Sequence, residues 1–481
     1  MNFKQTARRT TRATTLNTSE TDDAPPSNVS VLESGTEHAP PFSDESLALR
    51  FAELHAADLR YVAAWNKWLI WDGARWQLDD TMASFSLVRK VCRAAAAQCN
   101  KPKVAVALAS NKTTAAVASL SRSDRRLAAT AEQWDTDPWL LNTPDGVIDL
   151  RSGKMRAHQP ADYMTKMTAV KPKRSCPIPM WLAFLKKITN NDDDLTRFLQ
   201  RMMGYALTGS TKEHALFFLH GTGANGKSTL LTVMTGILGD YHMPAAIETF
   251  TASHNEHHPT DLAGLRGARL VTSVETEEGR RWAESKIKAL TGGDKIAARF
   301  MRQDFFEFTP AFKLAIAGNH KPGLRSVDEA IRRRFYLVPF SVVIPAKERD
   351  KNLGDRLRAE WPGILAWMIE GCMDWQQHGL APPSAVTNAT AAYLEAEDAF
   401  SAWLDEVGER DKDAWETTKM LFASWKLWAD NAGEYAGTLK RFIQNMEARG
   451  LTPVRHRNAR GFRGFRLGAA ETPDLYDQQG R

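Results

Sequence analysis

Apolar residues along the chain fall into distinct rhythms. Between 206 and 345 they form short unbroken runs, Ala215–His220, Ala268–Val274, Phe312–Ala317 and Phe335–Phe340, separated by stretches with helical spacing. Runs that are apolar at odd and even positions alike predict strands covered on both faces, hence a mostly parallel sheet with crossover helices. From Asp350 to Gln377, Leu353, Leu357, Trp361, Leu365 and Met368 recur at helical intervals, predicting a helix that ends before Pro382-Pro383. Upstream, from Phe51 to about Met203, hairpins mix with helices. Trp68–Trp71 and Arg75–Leu78 flank Asp72-Gly73, and Gly146–Leu150 and Lys154–Arg156 flank Ser152-Gly153, each pair reading as two short strands about a turn. Residues 391–468 carry amphipathic helices and then a short basic hairpin. The first 45 or so residues are rich in Ser, Thr, Pro and Ala and are expected to be disordered. The expected organisation is a tail (1–45), an α+β domain (46–205), an α/β core (206–345), a helical segment (346–390) and a basic C-terminal domain (391–481).

Composition changes this picture little. With 481 residues, 43% hydrophobic and 25% charged, the chain has room for more than one core and reads as globular. No run approaches the ~18 apolar residues of a membrane span. Cys92, Cys99, Cys176 and Cys372 are too scattered for a disulfide framework or a zinc site and read as reduced thiols. The net charge of +6 matters only where it clusters. It does so between Lys440 and Arg466, where eight Lys and Arg face one acid, Glu447.

The chemistry begins at Gly221-Thr222-Gly223-Ala224-Asn225-Gly226-Lys227-Ser228, which fits G-x-x-x-x-G-K-[ST] and stands between an apolar strand and an amphipathic helix. Glycines let such a loop turn its backbone N–H groups inward, and the positive end of the next helix adds to the field. Lys227 is expected to bridge the β- and γ-phosphates of ATP, and Ser228 to ligate Mg²⁺.

Hydrolysis needs further groups, and candidates lie downstream. The run Arg269–Val274 ends in Glu275, a carboxylate at the strand's C-terminal edge and the expected Mg²⁺-side acid and water activator; Glu277 is a second choice. The run Phe312–Ala317 ends in Gly318-Asn319, and Asn319 could orient the attacking water. Arg332-Arg333-Arg334 precedes the last strand and could supply an arginine finger, worth about 10³–10⁵ in rate where measured elsewhere. Three adjacent arginines cannot all face one nucleotide.

The order of these elements resembles superfamily 3 helicases of the phage and plasmid primase-helicase type, relatives of the poxvirus primase-helicase. The resemblance rests on Gly221–Thr229, Ala268–Gly279, Lys288–Asp294, Phe308-Thr-Pro310, Phe312-Lys-Leu, Gly318–Pro322 and Arg333-Arg334 before Val338-Pro-Phe340, and it extends upstream to Asp145–Leu150 and Trp68–Gly73. It implies an α/β P-loop NTPase with an AAA+-like core, a loop from Gly221 through Gly223, Asn225, Gly226 and Lys227 to Ser228 and Thr229 that holds ATP, a homo-oligomeric ring, usually a hexamer, and a finger (Arg333 or Arg334) given in trans. It also implies a channel hairpin within Lys288–Phe308 that holds single-stranded DNA, with Lys288, Arg299 and Arg302 as contacts, and 3′ to 5′ polarity. The phenylalanines of that segment are expected to pack the hairpin base. Family members often carry a primase domain built on paired acids; here Asp192-Asp193-Asp194 reads as a helix N-cap, so primer synthesis by this chain is not expected.

Residues 438–467 read as a winged helix with a basic wing, in which Arg455, Arg457, Arg460 and Arg463 would contact phosphates. The combined expectation is an ATP-dependent helicase acting on single-stranded and forked DNA in a bacterial host cytoplasm, working with a separate primase or initiator. The alternative is an origin-binding initiator in which ATP is an assembly switch.

Overall fold

The computed structural model describes residues 39–252, 260–274, 280–301, 304–324, 327–456 and 459–468. The expected tail therefore lies outside the described residues except for its last few. Those form a helix start: α1 (Asp44–His55) is capped by Ser43, which accepts from the Ser46 amide. β1 (Leu59–Val62), β2 (Lys67–Trp71), β3 (Trp76–Leu78) and β4 (Ala128–Ala129) form a sheet in the order β3-β2-β1-β4. Trp71 pairs with Trp76 across the Asp72-Gly73 turn. α2 (Ala83–Gln98), α3 (Pro102–Leu108) and α4 (Asn111–Ser121) pack with α1 around Phe51, Val88, Cys92 and Val117. β5 (Leu140–Thr143), β6 (Gly146–Asp149) and β7 (Lys154–Arg156) make an antiparallel sheet that contains the second expected hairpin. α5 (Pro179–Ile188) and α6 (Asp193–Ala206) follow, and Asp192 caps α6 by accepting from the Leu195 amide at 2.8 Å.

Next come β8 (Leu216–His220), α7 (Lys227–Leu238), β9 (His242–Pro244), α8 (Thr260–Ala263), β10 (Leu270–Val274) and α9 (Glu284–Gly292). A hairpin of β11 (Ile296–Ala298) and β12 (Phe306–Phe308) precedes β13 (Lys313–Gly318), α10 (Glu329–Arg332) and β14 (Phe335–Pro339). Five of these strands form one sheet in the order β14-β8-β13-β10-β9, every neighbouring pair parallel. The four apolar runs are β14, β8, β13 and β10, an edge strand and the three central members. The short edge strand β9 carries no such run, only His-Met-Pro.

Both sheet faces are covered, which is why the strands are apolar throughout. Phe217, Leu219, Ala315 and Val338 face a core built with α5, α6, α7 and a later helix, whereas Leu216, Phe218, Leu314 and Leu337 face a core built with α9. The helix expected over 350–377 is broken into α11 (Leu353–Leu357), a single 3₁₀ turn and α12 (Trp361–His378). Pro362 is the reason: it lacks an amide proton and fits only the first turn of a helix, so a new one starts there. α12 crosses α6 with the two backbones almost touching. A Cβ on Gly204 would lie 2.1 Å from the Cys372 nitrogen, and one on Gly371 would lie 2.2 Å from the Gln200 carbonyl oxygen. α13 (Ser384–Ala396) then flanks β14, where Thr390 Oγ1 accepts from the Leu337 amide at 2.9 Å.

At the N-terminal edge of the sheet two buried cations have no carboxylate bonded to them among the described residues. Arg269 donates to the Leu207 and Leu140 carbonyls, both at 2.5 Å, and Lys313 Nζ donates to the Thr208 and Ser210 carbonyls. These carbonyls include the unsatisfied oxygens beyond the C-terminus of α6, the negative end of its dipole. Burial pushes the Lys313 ammonium well below its usual range, and neighbouring Arg269 adds to that.

The last unit has its own core around Trp403, Trp425, Phe442 and Phe465. It comprises α14 (Ala399–Val407), β15 (Gly408–Glu409), β16 (Trp415–Thr417), α15 (Thr418–Asn431), α16 (Leu439–Ala448), β17 (Thr452–His456), β18 (Ala459–Arg463) and β19 (Arg466–Leu467). β16, β18 and β17 form an antiparallel sheet beside the three helices. Among the described residues no helix is long and apolar enough to cross a membrane.

Candidate functional site

The loop from Gly221 to Gly226 leaves the C-terminal end of β8, a central strand, and enters α7. Its path depends on missing side chains. A Cβ on Gly221 would lie 2.1 Å from Asn225 Nδ2 and 2.4 Å from the Phe340 carbonyl oxygen, and one on Gly226, at φ +88°, would meet Ile188 Cγ2 at 2.4 Å. Asn225 is buried and its amide donates to the Phe340 carbonyl at 3.2 Å, while the Ala224 carbonyl accepts from the Ile344 amide at 2.8 Å. These bonds anchor the loop to the chain just beyond β14. Ser228 is exposed and Thr229 half-buried on the first turn of α7.

Lys227 is only 6% exposed. Its ammonium donates to the Gly221 carbonyl at 2.6 Å, Asn225 Oδ1 at 3.2 Å and Asn319 Oδ1 at 3.1 Å. All three acceptors are neutral, and burial lowers the ammonium's pKa. Among the described residues no carboxylate balances it, so the centre is a desolvated positive charge at the positive end of a helix. Asn319 arrives there because Gly318 of β13 lies in register with His220 of β8. The structure thus gathers Gly221, Asn225, Lys227 and Asn319 into one cluster from positions spread over about a hundred residues.

His220 stands outside the loop motif, one residue before it. It is the polar end of an otherwise apolar strand, and burial, then Lys321, then Lys227 and His320 hold its imidazole below the ordinary range. Glu275 and Glu277 lie outside the described residues, as do Arg302 and Arg457. Val274, the last described residue of β10, pairs with Ala317 of β13. Among the described residues no group of three or more His, Cys, Asp or Glu is placed to hold a metal ion.

The three arginines separate cleanly. β14 runs parallel to β8, with Phe335 opposite Leu216 and Pro339 opposite His220, so residues 332–334 lie at the sheet edge opposite the loop. A five-residue strand spans about 16 Å, so none of them serves its own chain's loop. Arg334 is buried, donating to Thr291 Oγ1 at 3.2 Å and the Ala330 carbonyl at 2.7 Å, and burial lowers its pKa. These bonds tie it to α9 and α10 of its own chain, which removes it as a finger. Arg332 is 3.6 Å from Asp398. Arg333 is exposed and has no ion-pair partner among the described residues.

The β11–β12 hairpin pairs Ile296 with Phe308 and Ala298 with Phe306. Phe308 is buried and Phe306 half-buried at its base, as expected, but Phe300, Met301 and Phe305 are 42%, 67% and 60% exposed. The tip is therefore aromatic as well as basic: Arg299 lies over the Phe305 ring at 4.7 Å. Lys288 sits on α9 with its ammonium 2.5 Å from Asp328, whose other oxygen caps α10.

The C-terminal basic run does not form one patch. Arg449 makes a two-pronged pair with Asp398 at 2.6 and 2.7 Å, and Arg466 pairs with Glu409 at 2.7 Å. Arg455 and Arg460 stand directly opposite each other across β17 and β18, whereas Arg463 stands opposite Thr452 and so faces the other side of the ribbon.

Residues 48–190 match the family described as D5 N terminal like, and residues 219–334 match a family of unknown function, DUF5906. The chain is 27% identical over 295 residues to the protein named "Putative helicase L207/L206" of Acanthamoeba polyphaga mimivirus, covering 56% of this chain and 31% of that one. It is 27% identical over 289 residues to "Putative helicase 022R" of Frog virus 3 (isolate Goorha), covering 55% and 29%. The matches thus span about a third of these relatives' length. The apo structure of the NrS-1 C terminal region is 11% identical and covers 89% of this chain and all of that one, with a TM-score of 0.48. The resemblance read from the motifs stands: the chain is similar to superfamily 3 primase-helicases of phages and viruses across both matched regions.

Proposed function

We propose that the chain is the ATP-driven motor of a DNA helicase, of AAA+-like superfamily 3 type, and that it assembles as a ring. The observation that carries this reading is the Lys227 ammonium, buried on three neutral oxygens inside a loop whose glycines exclude side chains. Such a centre favours an anion, and the inward amides of a phosphate-binding loop suit a nucleoside triphosphate. Ser228 and Glu275 would hold Mg²⁺, which neutralises charge on the phosphates when bound. Lys227 would hold the terminal phosphates, and Asn319, anchored beside it, would orient water. Arg333, exposed at the opposite sheet edge, would complete a neighbouring chain's site, which is what makes a ring of identical head-to-tail contacts the fitting assembly.

The exposed tip of the β11–β12 hairpin supports single-strand contact through Arg299 and its rings. The C-terminal unit, with three helices and a three-stranded ribbon, fits a winged helix. Its paired Arg455 and Arg460, destabilising as neighbours unless an anion lies between them, support a phosphate contact. That same feature favours the second reading, an ATP-switched initiator that binds duplex DNA. Strand displacement from a forked duplex, measured across salt concentrations alongside mass with ATP, tests both. ATP-dependent displacement by an oligomer, lost in Lys227→Ala, is expected. Tight site-specific duplex binding without displacement would replace the motor with the initiator, and displacement retained by Lys227→Ala would overturn the reading.

A further inference from the structure

A cleft of about 910 Å³ lies between the first sheet and the N-terminal edge of the parallel sheet, the edge away from the Gly221–Gly226 loop. It is too far from that loop to belong to the nucleotide site, and its volume is at the upper end of the ~300–1,000 Å³ of ligand clefts. We propose that this cleft binds single-stranded DNA, continuing the path that begins at the hairpin tip.

Two features of its wall carry the assignment. The first is aromatic surface: half-buried Trp65 lines it from the first unit and exposed Phe300 from the hairpin tip, with Trp76 and Trp134, 1% and 8% exposed, packed behind Trp65 as its support. Flat rings accept bases of any identity, at about 1–3 kcal/mol per stacked base. Phe300 lines the cleft while remaining 42% exposed, so cleft and hairpin tip share a continuous surface. The second is charge. The acids in the wall are engaged: Asp135 accepts from the Thr165 amide and hydroxyl, and Asp240 from Arg75 and the Met167 amide. Of its cations only Arg75 is paired with an acid among the described residues. Lys67 has no ion-pair partner among the described residues. The Arg266 guanidinium sits 5.6 Å from the Trp65 ring and 5.4 Å from the Phe306 ring and donates to the Ala131 carbonyl at 3.0 Å. Rings alternating with unmatched cations are what a backbone-tracking groove for a single strand requires. A small apolar ligand would leave the cations unanswered.

This deepens the DNA reading above and rests on it. The test uses the full chain and an oligo-dT carrying 5-iododeoxyuridine, photocrosslinked and mapped by peptide mass spectrometry, together with anisotropy titrations of labelled oligo-dT. Crosslinks within residues 65–78 or 134–138 are expected. Lys67→Glu, a change at an exposed position, is expected to weaken oligo-dT binding several-fold and to reduce the slope of log affinity against log salt by about 1. Trp65→Ala is expected to weaken binding and Trp65→Phe to restore it. Unchanged affinity in both Lys67→Glu and Trp65→Ala, with crosslinks confined to the hairpin or the C-terminal unit, overturns the cleft assignment while leaving the DNA reading intact. Loss of the cleft crosslinks to equimolar dTMP shows a free-mononucleotide site and overturns the strand assignment. Failure of the unaltered protein to bind any oligo-dT overturns both.

Discussion

The Lys227 ammonium lies 3.1 Å from Asn319 Oδ1, so the residue that closes β13 is already hydrogen-bonded to the cation of the loop that follows β8. This contact separates two roles by substitution. Asn319→Ala leaves the ammonium its Gly221 and Asn225 acceptors, so nucleotide binding is expected to survive while turnover falls by about 10²–10³, as for loss of one positioned polar group. Asn319→Asp places a carboxylate against the ammonium and cancels the charge that draws phosphate; nucleotide affinity is expected to fall at least about tenfold. Titration with a fluorescent ATP analogue and steady-state phosphate release distinguish the two. Equal affinity in all three proteins would show that Lys227 does not hold the nucleotide.

Arg333 and Lys227 stand at opposite edges of one sheet, which makes complementation between defective chains a direct test. Arg333→Ala alone and Lys227→Ala alone are each expected to lose hydrolysis, the former by about 10³–10⁵ with ATP binding kept. Mixed in equal amounts, the two variants are expected to regain activity at about a quarter of the interfaces, where an intact loop meets an intact arginine. A mixture as inactive as its components would mean that the finger acts within its own chain or not at all. Arg334→Ala is expected to behave differently. It removes a buried guanidinium bonded to Thr291 and Ala330, so thermal stability is expected to fall by about 1–3 kcal/mol.

The parallel sheet was legible because both its faces are buried, so Phe217 and Phe218 in adjacent positions are both apolar. The loop was legible because Gly221 and Gly226 have no room for a Cβ and Gly223 stands at φ +106°. Three things were not. The spacing of Leu353, Leu357 and Trp361 continues through Pro362, so periodicity alone joined α11 to α12, although the proline itself was the available signal. Eight cations close in sequence looked like one surface, but Arg449 and Arg466 meet partners 51 and 57 residues away, and strand alternation turns Arg463 from Arg455. The convergence of Asn319 on Lys227, and the separation of Arg334 from the loop, depend on strand register and direction, which no local pattern encodes.

The α6–α12 crossing predicts a stability effect remote from the chemistry. Because Cβ atoms on Gly204 and Gly371 would meet main-chain atoms at 2.1 and 2.2 Å, no side chain can move aside to admit them. Gly204→Ala and Gly371→Ala are each expected to destabilise by about 1–3 kcal/mol or more through helix separation. Calorimetry should show a lower melting temperature. Alanine at Gly354, which has open space around its Cβ, serves as the control and is expected to change little.

Stability should also fall as the solution is acidified, in two stages. Burial holds His220 and His242 below their ordinary value of 6.5, and His242 additionally shares a hydrogen bond with Thr272 Oγ1 at 2.8 Å. In the window just below 6.5 the unfolded chain binds protons that the folded chain does not, so unfolding becomes easier as pH drops. Their stabilising contribution is therefore complete above 6.5 and is lost as pH falls through the folded-state values. The second stage belongs to Asp79, Asp124 and Asp328: burial, the largest single effect at Asp79 and Asp328, opposes ionisation, but the hydrogen bonds from Ser84 and Ala83, from Arg126, and from Lys288 and Ile331 together hold the three below 3.8. Their contribution is present above 3.8 and disappears below it by the same reasoning. Denaturant melts at pH 7.5, 6.0, 5.0 and 3.5 are expected to give a falling midpoint throughout. The His220→Gln, His242→Gln double variant is expected to flatten the interval just below pH 6.5 and leave the decline below 3.8 unchanged; an unaltered slope in that first interval would show that neither imidazole resists protonation in the fold.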